Sequence, residues 1–179
     1  MTDFTFYTME NAPQPVQEIF SGIQQTYGFI PNLFAYMAEA PTTLKAYLAL
    51  NELISETSLS AAQQQVALLA VSVENECDFC TVAHHAIGKM SKANEDTLTS
   101  ARAQTEIKDP QDRALVTFAQ AVTKNRGNLS EAEIDAFLNA GFTKQQIFEV
   151  ILIVSIKTLS NYINHLTQPK PNQELIDMI

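Results

Sequence analysis

The segment that most limits what this chain can fold into is residues 144–167. Thr143 and Gln146 stand at its start with the spacing of a capping box. In that motif the hydroxyl accepts from the first turn and the amide reaches back to the cap. Pro169 and Pro171 stop the helix. In between, Ile147, Phe148, Val150, Ile151, Ile153 and Val154 surround the axis instead of filling one stripe. A helix that is apolar all round is buried all round, and a chain of 179 residues has limited interior to offer it. The segment therefore predicts an all-helical fold whose copies associate, a homo-oligomer of at least three subunits. The most apolar run, 147–156, is interrupted by Glu149 and is too short to span a bilayer.

The remaining punctuation is helical too, with five glycines in the whole chain and no strand pattern. Residues 1–14 read as an extended arm, 15–168 as a single-domain helical bundle, and 169–179 as a tail that reaches a neighbouring subunit or stays mobile. Pro15 opens a first helix with Val16, Ile19, Phe20 and Ile23 on one face, and Gly28 stops it. Leu33, Phe34 and Met37 make a short helix ending before Pro41. Thr42 or Thr43 caps the next, with Leu44, Tyr47, Leu48 and Leu53 inward. Ser60 caps a helix through Val66 and Val73, and Asn75-Glu76 breaks it. A cysteine-bearing helix follows, roughly 77–88, closed by Gly88. Ser91 caps a polar helix over about 92–103. Asp109-Pro110 opens one with Leu115, Phe118 and Val122 inward, and Ser130 with Glu133 boxes a short one. Residues 59–80 can also be laid over 142–163, an echo in which Ser160 and Ile163 stand where the cysteines were.

Charge excludes some partners. Eleven Lys and Arg against twenty Asp and Glu give a net charge of −9, which disfavours nucleic acid and anionic membrane surfaces. The N-terminus shows neither the basic nor the apolar region of a signal peptide. A cytoplasmic, reducing location is expected. Both cysteines, Cys77 and Cys80, lie in one CxxC motif; in that compartment such a pair is more often redox-active or metal-binding than a structural disulfide.

On a helix, Cys77, Cys80 and His84 share one stripe, at i, i+3 and i+7. The first turn favours thiolate over thiol, and His84 can pass a proton. That is a nucleophilic sulfur, a resolving sulfur and a proton carrier. The plain alternative is two small buried cysteines and a core histidine. Zinc would need a fourth ligand, and His85 points about 100° away from His84 on a helix; His165 is the only other histidine. His85 itself reads as packed or solvated, and Glu74 and Glu76 as solvated acids. No glycine-rich phosphate loop occurs, so no flavin, haem or nucleotide cofactor is expected, and no metal.

The motifs Gly28-Phe-Ile-Pro-Asn32, Leu59-Ser60 followed by Val66-Ala-Leu-Leu-Ala-Val-Ser72, and Cys77-x-x-Cys80-x-x-x-His84 resemble the carboxymuconolactone decarboxylase and alkylhydroperoxidase D-like family, in its thiol-bearing, peroxidase-related branch. Residues 140–147 and 161–166 resemble the ends of that family's long helix. The resemblance implies an all-helical, alkylhydroperoxidase D-like domain assembling as trimers or hexamers. It implies a hydroperoxide substrate attacked by Cys80, with Cys77 resolving the sulfenic acid, His84 relaying the proton, and a dithiol donor of unidentified nature closing the cycle. The decarboxylase branch lacks the cysteine pair, so that reaction is not expected.

Two positions depart from the pattern. Gln65 stands twelve residues before Cys77, where the family often has glutamate, and Phe79 stands where its best-known peroxidases have histidine. Glutamine cannot exchange a proton at neutral pH, which implies a handicapped peroxidase. If the relay needs an acid, Gln65→Glu is expected to raise turnover by about tenfold or more. The alternatives are a dithiol–disulfide reductase and a non-catalytic redox sensor or oligomeric binding module.

Overall fold

A computed structural model describes residues 3–179. Within them the chain forms ten helices and no strand: α1 Gln14–Tyr27, α2 Asn32–Met37, α3 Pro41–Ser55, α4 Ala61–Glu74, α5 Asp78–Met90, α6 Glu95–Ala103, α7 Pro110–Lys124, α8 Glu131–Asn139, α9 Lys144–Thr167 and α10 Gln173–Ile176. The all-α expectation holds.

The axis of the bundle is α4, packed against α5, α6, α7 and α9. Every residue from Val66 to Val73 is buried. The helix buried on all sides is therefore α4, not α9. Its sequence is as apolar as that of α9 and carries Ala67 and Ala70, small enough for neighbours to close in from several directions. In α9 one stripe faces the core, including Val150, Ile153, Ile156 and Lys157, while Phe148, Ile151, Tyr162 and Leu166 are exposed. By length and composition α9 is enough to cross a membrane, although the apolar run within it is shorter.

Caps decide most boundaries. Ser130 and Thr143 each form the expected capping box, Ser60 caps α4 as expected and adds a box with Gln63, and Asp109 caps α7 ahead of Pro110. Gly28 closes α1 with φ 81°, a backbone region open to glycine at little cost. Four expectations shift. Neither Thr42 nor Thr43 caps α3; the helix begins at Pro41, whose missing N–H would go unbonded there in any case. Leu53 faces solvent and Ile54 takes its place inside. Gly88 does not end α5, which runs on to Met90; a Cβ there would meet Leu98 Cδ2 at 2.8 Å, so the glycine permits close approach of α6. Ser91 closes α5, and Asn94 caps α6 instead.

The tail folds back onto its own domain. Pro169–Pro171 turns back, and α10 packs on α5 with Leu175 buried. Asn32 anchors it: its backbone N–H donates to Asn172 Oδ1 (2.8 Å) and its Nδ2 to the Lys170 carbonyl (2.9 Å).

Candidate active site

The turn between α4 and α5 positions the sulfurs. Asn75 closes α4, Glu76 takes φ 54°, and the Cys77 N–H donates to the Ser72 carbonyl (2.9 Å). Cys77 is thus the N-cap of α5 and Cys80 sits in its first turn, close to unbonded N–H groups. Asn75 Nδ2 donates to Asn161 Oδ1 (2.9 Å), tying the turn to α9. Both cysteines are buried and free.

The structure brings Cys77, Cys80, His84 and Gln65 together, but not by the expected contact. No hydrogen bond joins His84 to Cys80. His84 Nδ1 lies 2.9 Å from Gln65 Oε1, and its Nε2 lies 2.9 Å from Lys157 Nζ. An amide oxygen only accepts, so Nδ1 carries the proton and Nε2 accepts from the Lys157 ammonium. Burial first, and then the Lys157 charge, hold His84 well below its ordinary value of 6.5. The imidazole is neutral.

Lys157 is 1% exposed. A buried cation is costly unless paired, and its counter-ion is Cys80. Burial pushes the Cys80 thiol up. The bond from the Cys77 thiol, the charge and N–H of Lys157 and the Asn164 amide outweigh it, bringing Cys80 far below the ordinary thiol range. Asn164 Nδ2 donates to Cys80 Sγ (3.1 Å) and to Cys77 Sγ (3.5 Å). Cys77 moves the opposite way, raised first by its bond to Cys80 and then by burial. The pair therefore divides into a thiolate at Cys80 and a thiol at Cys77.

Lys157 and Asn164 are the residues that reading the sequence missed. Their signal was present: Lys157, Ser160, Asn161 and Asn164 form a polar stripe at helical spacing on the most apolar helix of the chain. The other candidates fall outside the cluster. His85 is buried on the adjoining face with Nδ1 unpartnered among the described residues. Glu76 is exposed and Glu74 half-buried, and neither is hydrogen-bonded to a sulfur. Among the described residues no three His, Cys, Asp or Glu side chains converge as metal ligands.

Two cavities adjoin the pair. One, of about 370 Å³, is mostly apolar: Phe29, Leu33, Phe34 and Tyr47 face Cys80, His84 and Lys157 across it, and Leu175 and Met178 of the tail close one side. The other, about 600 Å³, is the more polar of the two, a cleft over Cys77 whose lining is about half polar.

Residues 41–107 match the carboxymuconolactone decarboxylase family. That segment holds Gln65, Cys77, Cys80 and His84 but not Lys157 or Asn164. No curated protein matches the chain. Among solved structures it resembles a peroxidase-related protein with an alkylhydroperoxidase AhpD core from Ralstonia eutropha JMP134, with TM-score 0.86 and 24% identity over 98% of this chain and 94% of that one. A peroxidase-related protein from Silicibacter sp. TM1040 gives 0.82 and 22% over 97% and 92%. The debrominase Bmp8, in complex with 2,3,4-tribromopyrrole, gives 0.81 and 20% over 99% and 96%. At these identities the likeness is one of fold.

Proposed function

We propose, from a chain that carries the carboxymuconolactone decarboxylase family's segment within an AhpD-like fold, that this protein is a thiol-dependent oxidoreductase reducing hydroperoxides through Cys80 and Cys77. The observation that carries the reading is the buried Lys157 ammonium, which stabilises a thiolate at Cys80 and bonds the neutral His84.

The chemistry follows from those charges. The Cys80 thiolate attacks the terminal oxygen of the hydroperoxide, and the O–O bond breaks. The departing alkoxide takes a proton from Lys157 and leaves as the alcohol. Cys80 becomes a sulfenic acid. Cys77 then attacks that sulfur; its thiol proton and the displaced hydroxide make water, and a disulfide forms. A dithiol reduces the disulfide, and the Cys80 thiol returns its proton to Lys157. Asn164 holds both sulfurs throughout, and Gln65 fixes the tautomer of His84 that accepts from Lys157. In this scheme the lysine does the work for which the family often keeps a glutamate, so Gln65 is not a defect.

The test is thiol counting on the reduced protein after one equivalent of an organic hydroperoxide. Loss of both thiols to an intramolecular disulfide, faster than an ordinary cysteine reacts, is expected. A rate no better than that of a free cysteine overturns the reading and leaves a sensor or binding module. A second reading rests on the apolar cavity and the debrominase fold: the same thiolate reducing a halogenated aromatic, with the dithiol supplying two electrons and halide leaving. Halide release from 2,3,4-tribromopyrrole in the presence of a dithiol decides it.

A further inference from the structure

The two sulfurs open onto different spaces. Cys80 lines the apolar cavity and Cys77 does not; Cys77 lines the polar cleft and Cys80 does not; Phe79 stands between, lining both. The cleft is lined by Glu76 and Asp78 at the start of α5, by His165 at the end of α9 and by Lys170 in the strap that follows. Asn164 lines it as well, 4% exposed, with Oδ1 unpartnered among the described residues.

We infer that this cleft is the binding site of the reductant, a small polar dithiol, and that it attacks the Cys77 sulfur of the disulfide. The inference rests on the disulfide cycle proposed above. Three observations carry it. Cys77 is the sulfur that borders the cleft. Walls bearing carboxylates, an imidazole and an ammonium suit a hydrated, polar donor, whereas the cavity at Cys80 suits an apolar oxidant. Asn164 keeps a buried acceptor unfilled beside the sulfur under attack, available to an S–H or N–H of the donor.

Leaving-group chemistry agrees. Thiol–disulfide exchange is faster when the expelled thiol is the more acidic one. Attack on Cys77 expels Cys80, whose thiolate Lys157 and Asn164 stabilise. One donor sulfur bonds to Cys77, the Cys77–Cys80 bond breaks, Cys80 leaves with the electron pair, and the proton of that donor thiol passes by way of Cys80 to Lys157, whose ammonium then pairs with the Cys80 thiolate. The second donor thiol then attacks the first donor sulfur, closes the donor's own disulfide and releases Cys77, which takes up the donor's proton. Oxidant and reductant enter by separate openings, so neither has to vacate the site for the other.

The test oxidises the pair with diamide rather than peroxide, so that it does not depend on the peroxidase reading. Reduction by dithiothreitol is then timed, and oxidation by an organic hydroperoxide is timed separately on reduced protein. His165→Trp and, independently, Lys170→Trp fill the cleft from exposed positions; Met90→Trp crowds the apolar cavity. The ratio of reduction rate to oxidation rate should fall by about tenfold in both cleft variants and rise in Met90→Trp. Ratios unchanged in both cleft variants, or lowered in Met90→Trp, place the donor elsewhere and overturn the inference. A disulfide that diamide forms but hydroperoxide does not overturns the function proposed above, while the reduction rates still decide the cleft.

Discussion

At the scale of single residues, the site is a small neutral cluster. One thiolate faces one ammonium, with a neutral imidazole between the lysine and an amide. Lys157→Gln removes the cation and keeps the burial. The Cys80 midpoint should then climb from about 5, and once it has passed neutral pH each further unit cuts the thiolate fraction there about tenfold. Ultraviolet thiolate absorbance followed against pH measures it, and an unmoved midpoint would show that the bonds from Cys77 and Asn164 suffice. Gln65→Glu is the sharper case. A carboxylate at Nδ1 favours imidazolium, but the imidazolium would point a second donor at the Lys157 ammonium. The geometry therefore gives no gain in turnover, while the His84 ionisation shifts upward in the pH–rate profile relative to the unsubstituted protein. A tenfold gain would mean that protons pass through His84 after all. Burial also links His84 to stability. Its folded value is depressed, so below 6.5 the unfolded chain binds a proton that the folded one refuses. Stability is thus complete above 6.5 and falls as pH drops through the region below it, by up to about 1.4 kcal/mol per pH unit from this group. Melting temperatures across that range, flatter in His84→Gln, check the sign.

At the scale of elements, most helices were legible because their ends are chemically marked. Ser60, Asp109, Ser130 and Thr143 each cap what their position announced. The echo between 59–80 and 142–163 is real as far as the caps: α4 and α9 both begin on a capping box, one residue after Ser60 or Thr143. They part at Asn75-Glu76, where a left-handed residue breaks α4 and α9 runs straight on. Less legible were features settled by packing. Nothing local says that Gly88 is a contact rather than a stop, or that α4 rather than α9 fills the centre. Cys77, Cys80 and His84 were findable because they share one helical stripe within eight residues, and Gln65 only because the family's pattern marks its position. Lys157 and Asn164 were not, because they arrive from another helix, and a lone lysine in an apolar run reads as an interruption. Gly88 yields a prediction at this scale. Gly88→Val drives a branched side chain into Leu98, and overpacking of this kind costs about 1–3 kcal/mol. A chemical denaturation midpoint should fall accordingly; an unchanged midpoint would show that α6 can shift aside.

At the scale of the whole molecule, α9 has two faces. Its inner stripe completes the sulfur site, while Phe148, Ile151, Tyr162 and Leu166 stand in the open. We propose that copies of the chain meet on this outer face, as the apolar run led us to expect, since exposed apolar patches of this kind mark contact surfaces. Sedimentation should give an assembly of at least three chains, and the double change Phe148→Asp with Leu166→Asp should shift it toward single chains without unfolding them. A monomer in the unsubstituted protein would end the proposal. The last stretch of chain has a consequence of its own. Pro169, Lys170 and Pro171 border the polar cleft, while Leu175 and Met178 border the apolar cavity. One short ribbon is thus a doorpost for both entrances. A purification handle or fluorescent reporter fused behind Ile179 begins one residue beyond Met178 at the apolar entrance, on the ribbon that also borders the cleft, and an assay run on such a fusion measures the attachment together with the protein.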